Sequence, residues 1–365
     1  MASEMRQSGW VIRPSLWFDS VCLIPLLAGL PFYTSHHEHD ARWWRERFAS
    51  AAGREAREAV SVLRREVAER AAKPLPAFLS LWTSPAAGSP GIATECLDGL
   101  VAAVADPELL AAGMRETSPH WNEDDDKLFR STRLALLAVL EGMRAAGLAQ
   151  WWAEHAEGHL RRRGGELRES FAGYDLVPLV ERHTGTAFDA RAVELCVLRW
   201  AAPHGIRITG TRFLTDVRYN PDTVLNIAVH ELLHPPWPKG HPVKGRLDAL
   251  AADPFLAARF AERDSAAGYN SWASYAEENA AQALDQFLNT QLGRNTRGDP
   301  VSRWTAADGG MHVLALLLYD TLRRGGFDSA DSSYADFLAR ALSDGGAWPR
   351  DPKARYLELT ATRPG

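Results

Sequence analysis

The sequence predicts a mainly helical α+β protein: a helical N-terminal half, then a small antiparallel sheet, then further long helices. Three observations lead there. From His36 to about Glu181, Ala, Leu, Arg and Glu dominate, with apolar residues at helical spacing such as Leu134, Leu136, Leu137, Val139 and Leu140. After Thr184 the spacing changes to alternation, with Val193, Leu195 and Val197 separated by Glu194 and Cys196. Long helical patterns then return from Ser271 and from Gly310. These shifts divide the chain into a helical region, 1–185, and a second region, 186–365.

At 365 residues and 46% hydrophobic content the chain can bury a substantial core without covalent staples. Three widely separated cysteines, Cys22, Cys96 and Cys196, indicate neither a disulfide framework nor a cysteine zinc cluster. Any metal must therefore be held by His and carboxylate. The formal charge of -5 arises from 41 basic and 46 acidic residues scattered along the chain. No basic stripe results, so no nucleic-acid partner is expected.

The first apolar stretch, Val21 to Tyr33, is too short to span a bilayer and carries Pro25 and Pro31. It reads as a buried N-terminal helix; Asp19 nearly abuts it and no clear small-x-small cleavage site follows. A cytoplasmic protein is expected, with export left open as the alternative. Next comes "HHEHD", where His36, His39 and Asp40 can converge on one turn, although with no distant partner they read as surface or pocket lining. Loops are marked by Ser84 to Gly91, Ser118 to Asp126, and Gly164 with Gly165. Asp124, Asp125 and Asp126 lack the spacing of a calcium loop and read as a solvated helix start. In "HAEGH", His155 and His159 are four residues apart, but Glu157 points to the opposite side of the helix, so the pair reads as a surface face.

Beyond Thr184, a strand around Val193 to Val197 and a second run, Ile206 to Tyr219, read as two strands joined around Pro203, His204 and Gly205. A helix follows at once. Asn220 supplies an N-cap, Pro221 suits the first helical position and Asp222 the first turn. The helix should run to about His234, where Pro235 and Pro236 bias it to stop.

That helix spells "VHELLH". His230 and His234 lie one turn apart on one face, a placement from which two imidazoles can chelate one cation. Glu231, rotated by about 100° from His230, is free to face a water on the metal. Zinc lowers the pKa of such a water toward about 7, and a nearby carboxylate can take its proton. So short a pattern arises by chance in many proteins. Here its context agrees: a capped helix, a strand before it, and the small or apolar residues Ile227, Ala228, Leu232 and Leu233.

A catalytic zinc takes three protein ligands and one open position. His241 follows His234 by seven residues, one more than the metzincin pattern requires, with Trp237 where that pattern has glycine. A better source is Ser271 to Leu288, with a cap-like start and an apolar stripe of Ala280, Ala283, Leu284, Phe287 and Leu288. With His-Glu-x-x-His followed by a glutamate-bearing helix, the stretch from about Arg207 to Leu292 resembles the gluzincin class of zinc metallopeptidases. The resemblance implies a zincin-like catalytic region in 186–365 and a glutamate as third ligand. In that class the ligand glutamate is followed at the third position by a small residue and at the fourth by a polar one that orients a histidine. Glu278 fits, with Ala281 and Gln282, although Gln282 replaces the more usual acid; Glu277, nearer the apolar stripe, is the alternative. Asp248 and His241 are the fallback ligands.

Amide hydrolysis passes through an oxyanion that needs a donor, and the class often draws it from a later segment. His312 is the candidate, with Tyr319 seven residues on; a core histidine and a packing tyrosine are the plainer reading. The strand from Ile206 to Tyr219 can accept an extended peptide by edge addition. The expectation is a zinc metallopeptidase acting on a peptide or protein, with Zn2+ as its cofactor. The alternatives are a non-catalytic helical binding or scaffold protein with a structural or vestigial metal site, and a zinc hydrolase of non-peptide amides.

Overall fold

In the computed structural model, which describes residues 9–87, 95–118, 121–263, 271–293, 298–343 and 345–361, the protein is 67% helical with 6% strand, so the mainly helical α+β class holds. The chain forms two compact units, Met1–Tyr174 with Ala192–Val224, and Asp175–Arg191 with Leu225–Gly365. The sequence reading divides the chain at residues 185 and 186; the structure instead groups 192–224 with the N-terminal helices. Among the described residues no helix is long and apolar enough to cross a membrane.

The first unit carries the sheet, in the order β1-β2-β4-β3, from β1 (Trp10–Pro14), β2 (Val193–Leu198), β3 (Ile206–Thr209) and β4 (Arg212–Asp216). It is mixed rather than antiparallel. β1 and β4 both run parallel to β2, with Ile12 opposite Leu195 and Leu195 opposite Phe213, and only β3 and β4 are antiparallel. The tight reversal thus lies between β3 and β4, not around Pro203. A seemingly continuous alternation from Ile206 to Val217 conceals it, because Gly210, at φ +55°, turns the chain in a conformation that favours glycine. β1 escapes the sequence reading because five residues, WVIRP, are too few to show a period. The helix Glu157–Phe171 lies close against it, with Trp10 on the Phe171 ring at 4.6 Å and Arg168 donating to the Ile12 carbonyl at 2.8 Å.

Of the apolar stretch Val21 to Tyr33, only Val21–Leu27 lies in the buried helix Leu16–Leu27, which is capped by Ser15. The helical run breaks at Gly29, at φ +64°, and resumes as the short helix Pro31–Thr34, where Phe32 is exposed. Asp19, fully buried within the helix Leu16–Leu27, accepts hydrogen bonds from Trp152 Nε1 at 2.7 Å and the Arg199 backbone N–H at 2.7 Å. Burial raises its carboxyl to about 7. The run Asp124 to Asp126 occupies the first turn of the helix Glu123–Ala145, capped by Asn122 and tied to Lys73 and Arg130. Leu136, Val139 and Leu140 of that helix are buried, while Leu134 is an exposed apolar residue.

In the second unit the helix Trp272–Gln291 is central, packed against Val313–Arg324 and Val243–Ala249. Ser271 caps it in a reciprocal box with Ser274. Its apolar stripe is buried at Ala280, Ala283, Leu284 and Leu288, but so are Glu278, Asn279, Asp285, Gln286 and Asn289. Buried polar groups need partners, and each of these side chains makes at least one hydrogen bond, although Asn289 Oδ1 is left without one. Asn279 Oδ1 accepts the Ala315 backbone N–H at 2.9 Å, and Asn289 Nδ2 donates to Asp285 at 2.7 Å.

Candidate metal centre

The motif helix begins as its sequence dictates: Asn220 Oδ1 accepts the Thr223 backbone N–H at 2.8 Å, and Pro221 occupies the first helical position. It ends at Leu232, not His234. The last turn tightens, with Leu233 N–H bonding to the His230 carbonyl at 3.0 Å and His234 N–H to the Glu231 carbonyl at 3.4 Å. His234 therefore stands just beyond the helix, before Pro235. The two imidazoles still meet, ring centroids 4.7 Å apart and planes at 76°.

The helix Trp272–Gln291 brings Glu278 to them. His230 Nε2 lies 3.5 Å from Glu278 Oε1, His234 Nε2 lies 3.4 Å from Glu278 Oε2, and the two Nε2 atoms are 3.1 Å apart. Ligand atoms about 2.0–2.1 Å from a tetrahedral cation are separated by about 3.3–3.4 Å. The three side chains thus have the spacing of one coordination face. Glu278 is 4% exposed, and a buried carboxylate is costly without a cation or strong donors. Burial alone would raise its carboxyl, but His230, His234 and the Gln282 N–H outweigh it and hold it well below the usual carboxylate range. Burial likewise opposes charge on His230, yet Glu278, with Asp285 and Glu231, holds that imidazole up to about 8. His230 Nδ1 is buried with no hydrogen-bond partner, so the polar contacts of this ring are made through Nε2, to Glu278 and His234. Among the described residues this group of His230, His234 and Glu278 is the only His, Cys, Asp and Glu cluster able to hold a metal ion, and it has three members.

Glu277 takes a different place. It is half-buried, with Oε1 3.5 Å from His234 Nδ1, the ring nitrogen turned away from His230. Gln282 does not orient a histidine, as the resemblance implies; its Nε2 donates to Glu278 Oε1 at 2.8 Å. Sequence reasoning also missed Arg303, on the helix Pro300–Ala306, whose guanidinium bonds to Gln282, Asp285 and Gln286. No motif marks it, because the contact joins residues about twenty apart, which no helical or strand period connects.

The remaining candidates fall elsewhere. Glu231 is half-buried beside the pair, close enough for its charge to act on His230. His241 accepts the Val243 backbone N–H at Nδ1 and faces Asp336 through Nε2 at 3.3 Å, while Asp248 pairs with Lys244 at 2.7 Å. Neither joins the cluster. His312 precedes the helix Val313–Arg324 and is 1% exposed, and the Tyr319 ring packs on Trp304 at 5.7 Å. Asp40 is held by Arg199 and Trp200, and the solvent-exposed His39 reaches it only from outside, Nδ1 to Oδ1 at 3.5 Å. His155 and His159 are exposed and lie on separate helices, divided at Ala156.

Chemically, two imidazoles and one carboxylate around an open position suit a divalent metal that keeps a site for water or substrate. Comparisons with protein-family models, with curated proteins and with solved structures find no match to this chain.

Proposed function

We propose that this protein is a zinc-dependent hydrolase of peptide bonds, with His230, His234 and Glu278 as ligands and Glu231 as general base. The carrying observation is the convergence of three donor atoms, at the spacing of one coordination face, around a carboxylate that is 4% exposed. Structural zinc sites are closed by four protein ligands. Three ligands among the described residues favour catalysis over a structural role. Zinc, when bound, supplies Lewis acidity toward a water and a substrate carbonyl. Glu231 follows His230 directly, so helix geometry points it about 100° away from the ligand face, where it takes the proton of an attacking water and passes it to the leaving nitrogen. His312, at 1% exposure, is not given the oxyanion role.

Two measurements test this reading together: metal analysis of the purified protein and hydrolysis of a broad peptide library. About one zinc per chain with cleavage supports it. Zinc without hydrolysis of peptides or simple amides leaves a metal-binding scaffold, cleavage of non-peptide amides alone makes it a different hydrolase, and protein free of stoichiometric metal overturns the site.

A further inference from the structure

The amide of Gln282 has a direction, and its neighbours dictate it. On one side stand two obligate donors: Arg303 Nη2 bonds to Gln282 Oε1, and Trp304 Nε1 reaches the same oxygen at 3.3 Å. On the other stands an obligate acceptor, the Glu278 carboxylate, 2.8 Å from Gln282 Nε2. A guanidinium and an indole N–H cannot accept, and an ionised carboxylate cannot donate, so only one orientation of the amide satisfies all three. Arg303 is itself held. Its fork lies along one turn of the helix Trp272–Gln291, with Nη2 3.0 Å from the fully buried Asp285 and Nη1 2.8 Å from Gln286 Oε1.

We propose that Arg303 is a positioning residue of the metal centre, which with Trp304 locks the Gln282 amide so that its N–H holds the Glu278 carboxylate facing His230 and His234. This rests on the zinc reading above. It also explains why an amide stands where the gluzincin pattern leads one to expect an acid. A glutamate at 282 would satisfy Arg303 and Trp304 with one oxygen but turn the other, without a proton, against Glu278. Two carboxylates would then face each other where the amide supplies a donor.

The test uses the full-length protein stripped of metal, as wild type, Gln282→Glu, Gln282→Met and Arg303→Lys. Zinc affinity is read by competition with a chromophoric chelator, ligand geometry by the visible absorption of the Co(II) form, and fold by circular dichroism and melting of the metal-free protein. Gln282→Glu and Gln282→Met are each expected to weaken zinc by about 10–100-fold, the scale for losing a partner that orients a ligand. The Co(II) spectrum should change while the metal-free circular dichroism does not. Arg303→Lys keeps a cation for Asp285 but loses the fork, and should give a smaller loss in the same direction. Gln282→Glu is nearly isosteric and keeps an acceptor for Arg303, so it remains informative even if Gln282→Met fails to fold. Equal or tighter zinc binding by Gln282→Glu, or an unchanged Co(II) spectrum in every variant, overturns the positioning role and leaves the metal site standing. A wild type that binds no zinc overturns both.

Discussion

Replacing Glu278 with Gln in the metal-free protein should release the proton that His230 holds. With the carboxylate 3.5 Å away, His230 is raised from 6.5 to about 8 against the opposing effect of its own burial. In Glu278→Gln burial remains and the main attraction is gone, so the imidazole should titrate at or below 6.5. A change of about 1.5 units corresponds to about 2 kcal/mol. The direction in stability follows from linkage: a group whose folded pKa is raised stabilises fully below its unfolded value and loses that contribution as pH rises through the folded one. Metal-free wild type should therefore lose about 2 kcal/mol from this group between pH 6 and 9, and Glu278→Gln should not. At the acid end the depressed Glu278 carboxyl stabilises the fold above its ordinary value of 4.5 and loses that contribution as pH falls. Zinc binding at pH 7 must then displace a proton carried by about nine molecules in ten, which weakens apparent affinity about tenfold. The assay is an NMR titration of the histidine ring protons in both proteins, with denaturant unfolding at pH 6 and 9. A resonance that His230→Ala removes, still titrating near 8 in Glu278→Gln or already at 6.5 in wild type, would refute the pairing.

Glu231→Gln should keep zinc and melting temperature while turnover falls by about 10²–10⁴-fold, the scale for losing a positioned general base; near-normal turnover at equal zinc content would place the chemistry elsewhere. Either His230→Ala or His234→Ala should abolish stoichiometric zinc by elemental analysis. Glu278→Ala should weaken zinc far more than Glu277→Ala, since Glu277 faces only the outer nitrogen of His234; the reverse order would make Glu277 the ligand. Gly142→Ala places a Cβ 2.7 Å from the Phe48 ring and 2.9 Å from Ala56 Cβ. Thermal unfolding should show a net loss of about 1–2 kcal/mol, overpacking exceeding the gain in helix propensity; a stabilised variant would show that the ring yields freely.

What is written in short-range pattern was legible in the sequence. Asn220, Pro221 and the paired prolines define a helix of known start and approximate end, and periodicity then places His230, His234 and Glu231 around it. The same holds for the cap at Ser271 and for the helical N-terminal half, where spacing of 3.6 residues recurs over many turns. Glu278 over Glu277 was reached by a different route, the polar residue four positions on. Gln282 does support Glu278, though by bonding to the ligand itself instead of to a histidine. Only the tertiary structure decided the rest, and in each case the deciding contact joins segments that no local period connects. β1 pairs with β2 across more than 180 residues, so its direction and the mixed character of the sheet could not be read from the five letters WVIRP. The apolar stripe of the helix Trp272–Gln291 pointed away from Glu278 because a helical wheel assumes one wet face. Here the polar face is buried too, against the histidines and Arg303, and a side chain opposite the stripe becomes an enclosed carboxylate. Amphipathic pattern reports how many faces meet water, whereas a ligand must face other side chains, and which ones they are is settled only by packing.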